Sequence, residues 1–73
     1  MNDNYNNLAN AIILQAVKDY RKALRTLSLY PNNRSAQYER RNIEQFFRSS
    51  WFGVLTSINP EMLITKLKAE VTT

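Results

Sequence analysis

The spacing of apolar residues divides the chain into three helical stretches separated by two short breaks. Over residues 8–30, Ala9, Ile13, Ala16, Val17, Tyr20, Ala23, Leu24 and Leu27 share one face at 100° per residue. Gln15, Lys18, Lys22 and Arg25 lie opposite. Alanine is frequent here and neither Gly nor Pro interrupts, so nothing local opposes the helix. Residues 1–7 carry four Asn and read as a flexible lead-in. Tyr30-Pro31-Asn32-Asn33-Arg34-Ser35 is a break: Pro31 disfavours helical geometry at Tyr30, and the two Asn suit a turn or an N-cap. A connection this short favours antiparallel neighbours.

The second stretch covers residues 34–52. Ala36, Ile43, Phe47, Ser50 and Val54 fall on one face, flanked by Phe46 and Trp51, with Tyr38, Arg41, Gln45 and Arg48 opposite. Ser49, Ser50 and Gly53 are poor helix formers, so a kink or a separate turn is expected near 49–56. Asn59-Pro60-Glu61 is the clearest local signal. It reads as an N-cap, a first-turn proline, and an acid at the positive end of the helix dipole. The third helix then spans 60–71, with Leu63, Ile64, Leu67 and Val71 as its apolar stripe. The expected fold is all-α: one domain, an antiparallel helical hairpin with a short C-terminal helix packed across it.

Seventy-three residues bury only roughly 60% of the unfolded surface, so such a domain is marginal alone. There is no Cys and no His, which removes disulfides and His- or Cys-based metal sites as reinforcement. Helix packing and homo-oligomerisation remain as sources of stability. The lack of Cys fits a reducing compartment, the polar N-terminus lacks a basic leader region, and Ala11–Leu14 is far too short to cross a bilayer. A cytoplasmic protein, without membrane or cofactor, is expected.

The same inventory disfavours catalysis. General acid–base work most often uses His, Ser49 and Ser50 have no His or Cys partner, and a single Gly cannot form a phosphate loop. Asp19 and Glu44 could meet across the hairpin, but no carboxylate pair sits at a convincing catalytic spacing.

Ten Lys and Arg against six Asp and Glu give a net charge of +4. Lys18, Arg21, Lys22 and Arg25 recur along the first helix, and folding about residues 31–33 sets Arg21 and Lys22 near Arg41, with Arg25 near Tyr38. Arg34 and Arg40 join the same end. Arg21, Lys22, Arg25, Arg34, Arg40 and Arg41 are therefore the candidate anion site, where guanidinium forks suit phosphate and Tyr30 and Tyr38 could stack a base. A solvated basic face is the plainer reading. The second candidate surface is aromatic. Phe46, Phe47, Trp51 and Phe52 cannot all face one helix interior; Phe47 and Trp51 lie nearest the core direction. Phe46, Trp51 and Phe52, with Arg48 among them, are the interface candidates. A helix-turn-helix reading leaves only Lys66 and Lys68 on the recognition helix to meet DNA.

Ala11-Ile12-Ile13-Leu14-Gln15-Ala16-Val17-Lys18-Asp19-Tyr20-Arg21, Ile43-Glu44-x-Phe46-Phe47-Arg48-Ser49-x-Trp51-Phe52, Leu55-Thr56 and Glu61-x-Leu63-Ile64 follow in that order. Together they resemble a group of short helical proteins from prophages and integrative elements of Gram-positive bacteria. The likeness spans residues 8–71. It departs at Ser50, where members often carry an acid, and at Asn59-Pro60, where they have Asp-Gly. The resemblance implies a context rather than a reaction: a small accessory protein that acts by binding, with a counter-defence role. Three readings follow. The first is capture of an anionic nucleotide or nucleic acid at the basic hairpin end. The second is anti-CRISPR-type inhibition of a host defence nuclease through exposed aromatics. The third is a small DNA-binding regulator.

Overall fold

The computed structural model describes residues 4–72, and every regular element in them is helical: α1 (Asn4–Leu29), α2 (Arg34–Phe47), α3 (Ser50–Leu55) and α4 (Pro60–Thr72). Residues 1–3 of the expected lead-in lie outside the described residues, and residues 4–7 already belong to α1. Hydrophobic periodicity marks only the turns that bury a face, so it starts the helix late.

Helix α1 stops at Pro31. The N–H of Tyr30 donates to the Thr26 carbonyl at 2.7 Å, and that of Asn33 to the Tyr30 carbonyl at 3.0 Å. Asn33 then caps α2, its Oδ1 accepting the Ala36 N–H at 2.9 Å. The chain doubles back here. Lys22, Ala23 and Thr26 of α1 line one cleft with Asn33, Ser35, Ala36 and Glu39, and further along Tyr20 meets Glu44.

The second expected helix is two helices. Helix α2 ends at Phe47, and Ser49 starts α3 in a new register. The Ser49 hydroxyl donates to the Phe46 carbonyl at 2.6 Å and accepts the Phe52 N–H at 3.2 Å. One side chain thus closes one helix and opens the next. The restart corrects the expected apolar face. Ser50 is exposed, Val54 is 80% exposed and Trp51 54%, while Phe52, expected to diverge from the core, is buried. Phe47 stays in the core as expected. Gly53 lies inside α3 without a positive φ, so the break at residues 48–49 is at the serine cap and not at the glycine.

Asn59 caps α4 as its sequence predicts, with Oδ1 accepting the N–H groups of Glu61 (2.9 Å) and Met62 (3.2 Å). Helix α4 packs against α1 and α2. Glu61 meets Arg48, Lys68 meets Glu44, and Glu70 meets Arg21, so α4 runs against α2 and along α1. Ile13, Val17, Tyr20, Phe47, Phe52, Ile64 and Leu67 form the core. Phe47 stands edge-on to both Tyr20 (5.6 Å) and Phe52 (5.5 Å), geometry that favours aromatic pairs beyond simple burial.

Replacing Ser49 with Ala removes the shared cap. The expected cost is about 1 kcal/mol, a fall in Tm of roughly 4–8 °C for a domain of this size, read by thermal circular dichroism. An unchanged Tm would mean that burial of Phe52 alone sets the break.

Candidate anion-binding surface

The electrostatics are organised by one carboxylate. Glu44 lies on the side of α2 that faces α4, its side chain only 13% exposed. Its Oε2 accepts a 2.6 Å hydrogen bond from the hydroxyl of Tyr20, a fully buried residue of α1. Three cations surround it: Arg40 at 3.6 Å and Arg48 at 3.5 Å, one turn either side on α2, and Lys68 at 3.7 Å on α4. The tyrosine makes the short directional bond, and the three cations lie around the same carboxylate at longer range. Burial, and then the hydrogen bond to Glu44, hold the Tyr20 phenol well above its ordinary range.

Two exposed bidentate pairs flank this node. Arg48 donates to both oxygens of Glu61 (2.7 and 3.0 Å), and Arg21 to both of Glu70 (2.8 and 3.2 Å). The hydrogen bonds from Arg48 and Arg21 hold the Glu61 and Glu70 carboxyls below the usual carboxylate range. Exposed pairs contribute little energy each, but both tie α4 to the α1–α2 pair at fixed points.

The six candidate anion-site residues are thereby sorted. Arg21 is engaged by Glu70. Arg40 is half-buried beside Glu44, and its Nε is buried with no hydrogen-bond partner among the described residues. Lys22, Arg25, Arg34 and Arg41 are exposed and form no ion pair among the described residues. Helical spacing puts Lys22 and Arg25 on the outer face of α1 with Lys18, and Arg34 and Arg41 on the outer face of α2. Tyr38 lies between Arg34 and Arg41 on the same stripe, 66% exposed, and Tyr30 is exposed in the turn. The structure therefore places two basic stripes on the two helices rather than six cations at one point.

Of the interface candidates, Phe52 is buried, Phe46 is half-buried against Phe47 and Phe52, and Trp51 packs one edge on Phe46 (5.8 Å) with its remainder in solvent. Arg48 pairs with Glu44 at 3.5 Å, and more closely with Glu61 at 2.7 Å. The Tyr20–Glu44–Lys68 node is what sequence reading misses. Arg40-x-x-x-Glu44-x-x-x-Arg48 was a visible double i, i+4 signal, but Tyr20 sits on an apolar stripe that conceals its hydroxyl. Beside the node a cleft of about 280 Å³, lined by Leu24, Leu27, Ser28, Arg40, Lys68 and Val71, is smaller than typical ligand pockets. No three His, Cys, Asp or Glu side chains converge among the described residues, and no helix is long and apolar enough to cross a membrane.

Glu44→Ala is expected to cost about 2–3 kcal/mol in urea unfolding, more than Glu44→Gln, which keeps an acceptor for Tyr20. A Tyr20→Phe, Glu44→Ala cycle should show coupling above about 0.5 kcal/mol; additive effects would reduce the tyrosine to packing. Because the folded-state pKa of Tyr20 is raised, its contribution is whole below about pH 10 and is lost as pH climbs beyond that. The lowered carboxyls act in the opposite sense, losing their contribution as pH falls through their folded values. Melting curves should therefore decline at alkaline pH, and less steeply in Tyr20→Phe.

No protein family, no curated protein and no solved structure matches this chain.

Proposed function

We propose that this chain is a non-enzymatic binding protein of a phage or mobile element with a counter-defence role. Its ligand is an anionic nucleotide or nucleic-acid strand held at the turn end of the α1–α2 hairpin. The observation that carries this reading is the stripe Arg34–Tyr38–Arg41, exposed along its length and free of carboxylate partners among the described residues. Arg34 and Arg41 stand about 10 Å apart along the helix axis. That spacing leaves the Tyr38 ring open between two guanidinium groups. A base stacked on such a ring contributes about 1–3 kcal/mol, and the flanking arginines suit its phosphates. Lys22 and Arg25 extend the same positive field around α1.

The acids support this division of labour. Glu44, Glu61 and Glu70 pair with Arg21, Arg40, Arg48 and Lys68, and none of the three forms an ion pair with Arg34 or Arg41; Arg25 does act on Glu70 at longer range. The departure at Ser50 bears on a different surface and leaves the stripe untouched.

A protein-inhibitor reading is favoured by a separate observation, the exposed edge of Trp51 beside Val54 in α3. The two separate by salt. Phosphate contacts weaken steeply as ionic strength rises, and an apolar contact does not.

Arg34→Glu with Arg41→Glu should weaken binding of a short single-stranded oligonucleotide at least tenfold. It should also flatten the slope of log affinity against log salt by about 1.4, the value for two lost phosphate contacts. Both side chains are exposed, so stability should stay within about 0.5 kcal/mol. Unchanged oligonucleotide affinity would remove the stripe from the binding site.

A further inference from the structure

The charges of this chain occupy only part of it. No charged residue occurs from residue 4 to 17 or from 49 to 60. These two segments are the first half of α1 and the region of α3 with its flanking loops, and Ile13 and Phe52 join them in the core. Together they make the end of the molecule remote from the turn at residues 30–33. Glu61, the first charge beyond them, is already held by Arg48.

This open end is also where apolar side chains face solvent. Of the nine large exposed hydrophobic residues among those described, Leu8, Leu14, Trp51, Val54, Ile58 and Met62 belong to it, and Leu29, Tyr30 and Tyr38 to the turn end. Met62 borders a shallow depression of about 400 Å³ along the outer side of α4. Apolar surface depleted of charge has the composition of an interface core, and a small monomer seldom leaves so much of it uncovered.

The protein exposes 5574 Å², whereas a compact monomer of 8.6 kDa exposes about 4,700 Å². The surplus, on the order of 900 Å², goes with an extended shape of 46 × 21 × 20 Å, whose open end leaves apolar side chains in solvent. Charge points to which partner. Two copies meeting at their open ends bring uncharged surfaces together and hold their positive ends apart. Meeting at the turn ends would oppose the cations of each copy.

We infer that the open end is a homodimer interface, in which Leu8, Trp51, Val54 and Ile58 of one copy pack against the same residues of a second under two-fold symmetry. The dimer carries its basic ends outward on opposite sides. It is therefore built to engage two anionic sites at once, or two points on one strand, with the affinity gain of a bivalent ligand. The interface itself does not depend on the proposed ligand.

Sedimentation equilibrium of the full chain tests it. The expected mass is twice 8.6 kDa. Val54→Lys with Leu8→Lys should return it to a monomer with unchanged helical circular dichroism, because both side chains are largely exposed. Leu29→Lys, at the turn end, should leave the dimer intact. A wild-type monomer at all concentrations up to the millimolar range would overturn the inference. So would a dimer that survives the Val54 and Leu8 changes, or one that Leu29→Lys dissociates.

Discussion

The arrangement depends on one largely buried carboxylate, Glu44, and the partners that three helices bring to it. Glu44 sits where α1, α2 and α4 converge. A carboxylate there costs desolvation energy unless hydrogen-bonded and paired. Tyr20, Arg40, Arg48 and Lys68 meet that requirement from three helices, so satisfying one group fixes the packing of all three. Arg48 extends the chain of contacts to Glu61 and the first turn of α4. Aromatic packing supplies much of the burial, but packed rings tolerate sliding. The directional bond from Tyr20 and the ion pairs at both ends of α4 specify its register.

Much of this fold is legible in the sequence, and the unread parts have physical causes. The faces of α1 and the cap at Asn59 follow from periodicity and local hydrogen bonding, which need no knowledge of distant residues. The second helix is harder. Projecting a single wheel through Ser49 puts Trp51 and Val54 inward and Phe52 outward, the reverse of what the cap produces. Ser49 and Ser50 mark the place, but local pattern does not say which of them caps; it is Ser49, and Phe52 then lies in the core. The candidate site is legible in part for a related reason. Charge identity is in the sequence, whereas the partners of Arg21 and Arg40 lie 49 and 4 residues away, and only the nearer is visible in a helical wheel.

The internal pairing also explains how a chain of modest net charge can have a specialised exterior. Arg21, Arg40, Arg48 and Lys68 pair with Glu44, Glu61 and Glu70, and the other exposed cations, Lys66 of α4 apart, gather on α1 and α2. Beyond residue 17 of α1, toward its start, and throughout residues 49–60, charge is absent. The result is a rod of 46 × 21 × 20 Å with a basic end and an apolar end. That polarity is the basis for assigning ligand binding to one and self-association to the other.

The most direct test of this polarity is a titration of the ¹⁵N-labelled protein with a short single-stranded oligonucleotide, followed by amide chemical shifts. Salt-sensitive shifts are expected at Lys22, Arg25, Arg34, Tyr38 and Arg41, with residues 51–62 unmoved. Shifts concentrated at Trp51, Val54 and Ile58, with the turn end silent, would contradict it.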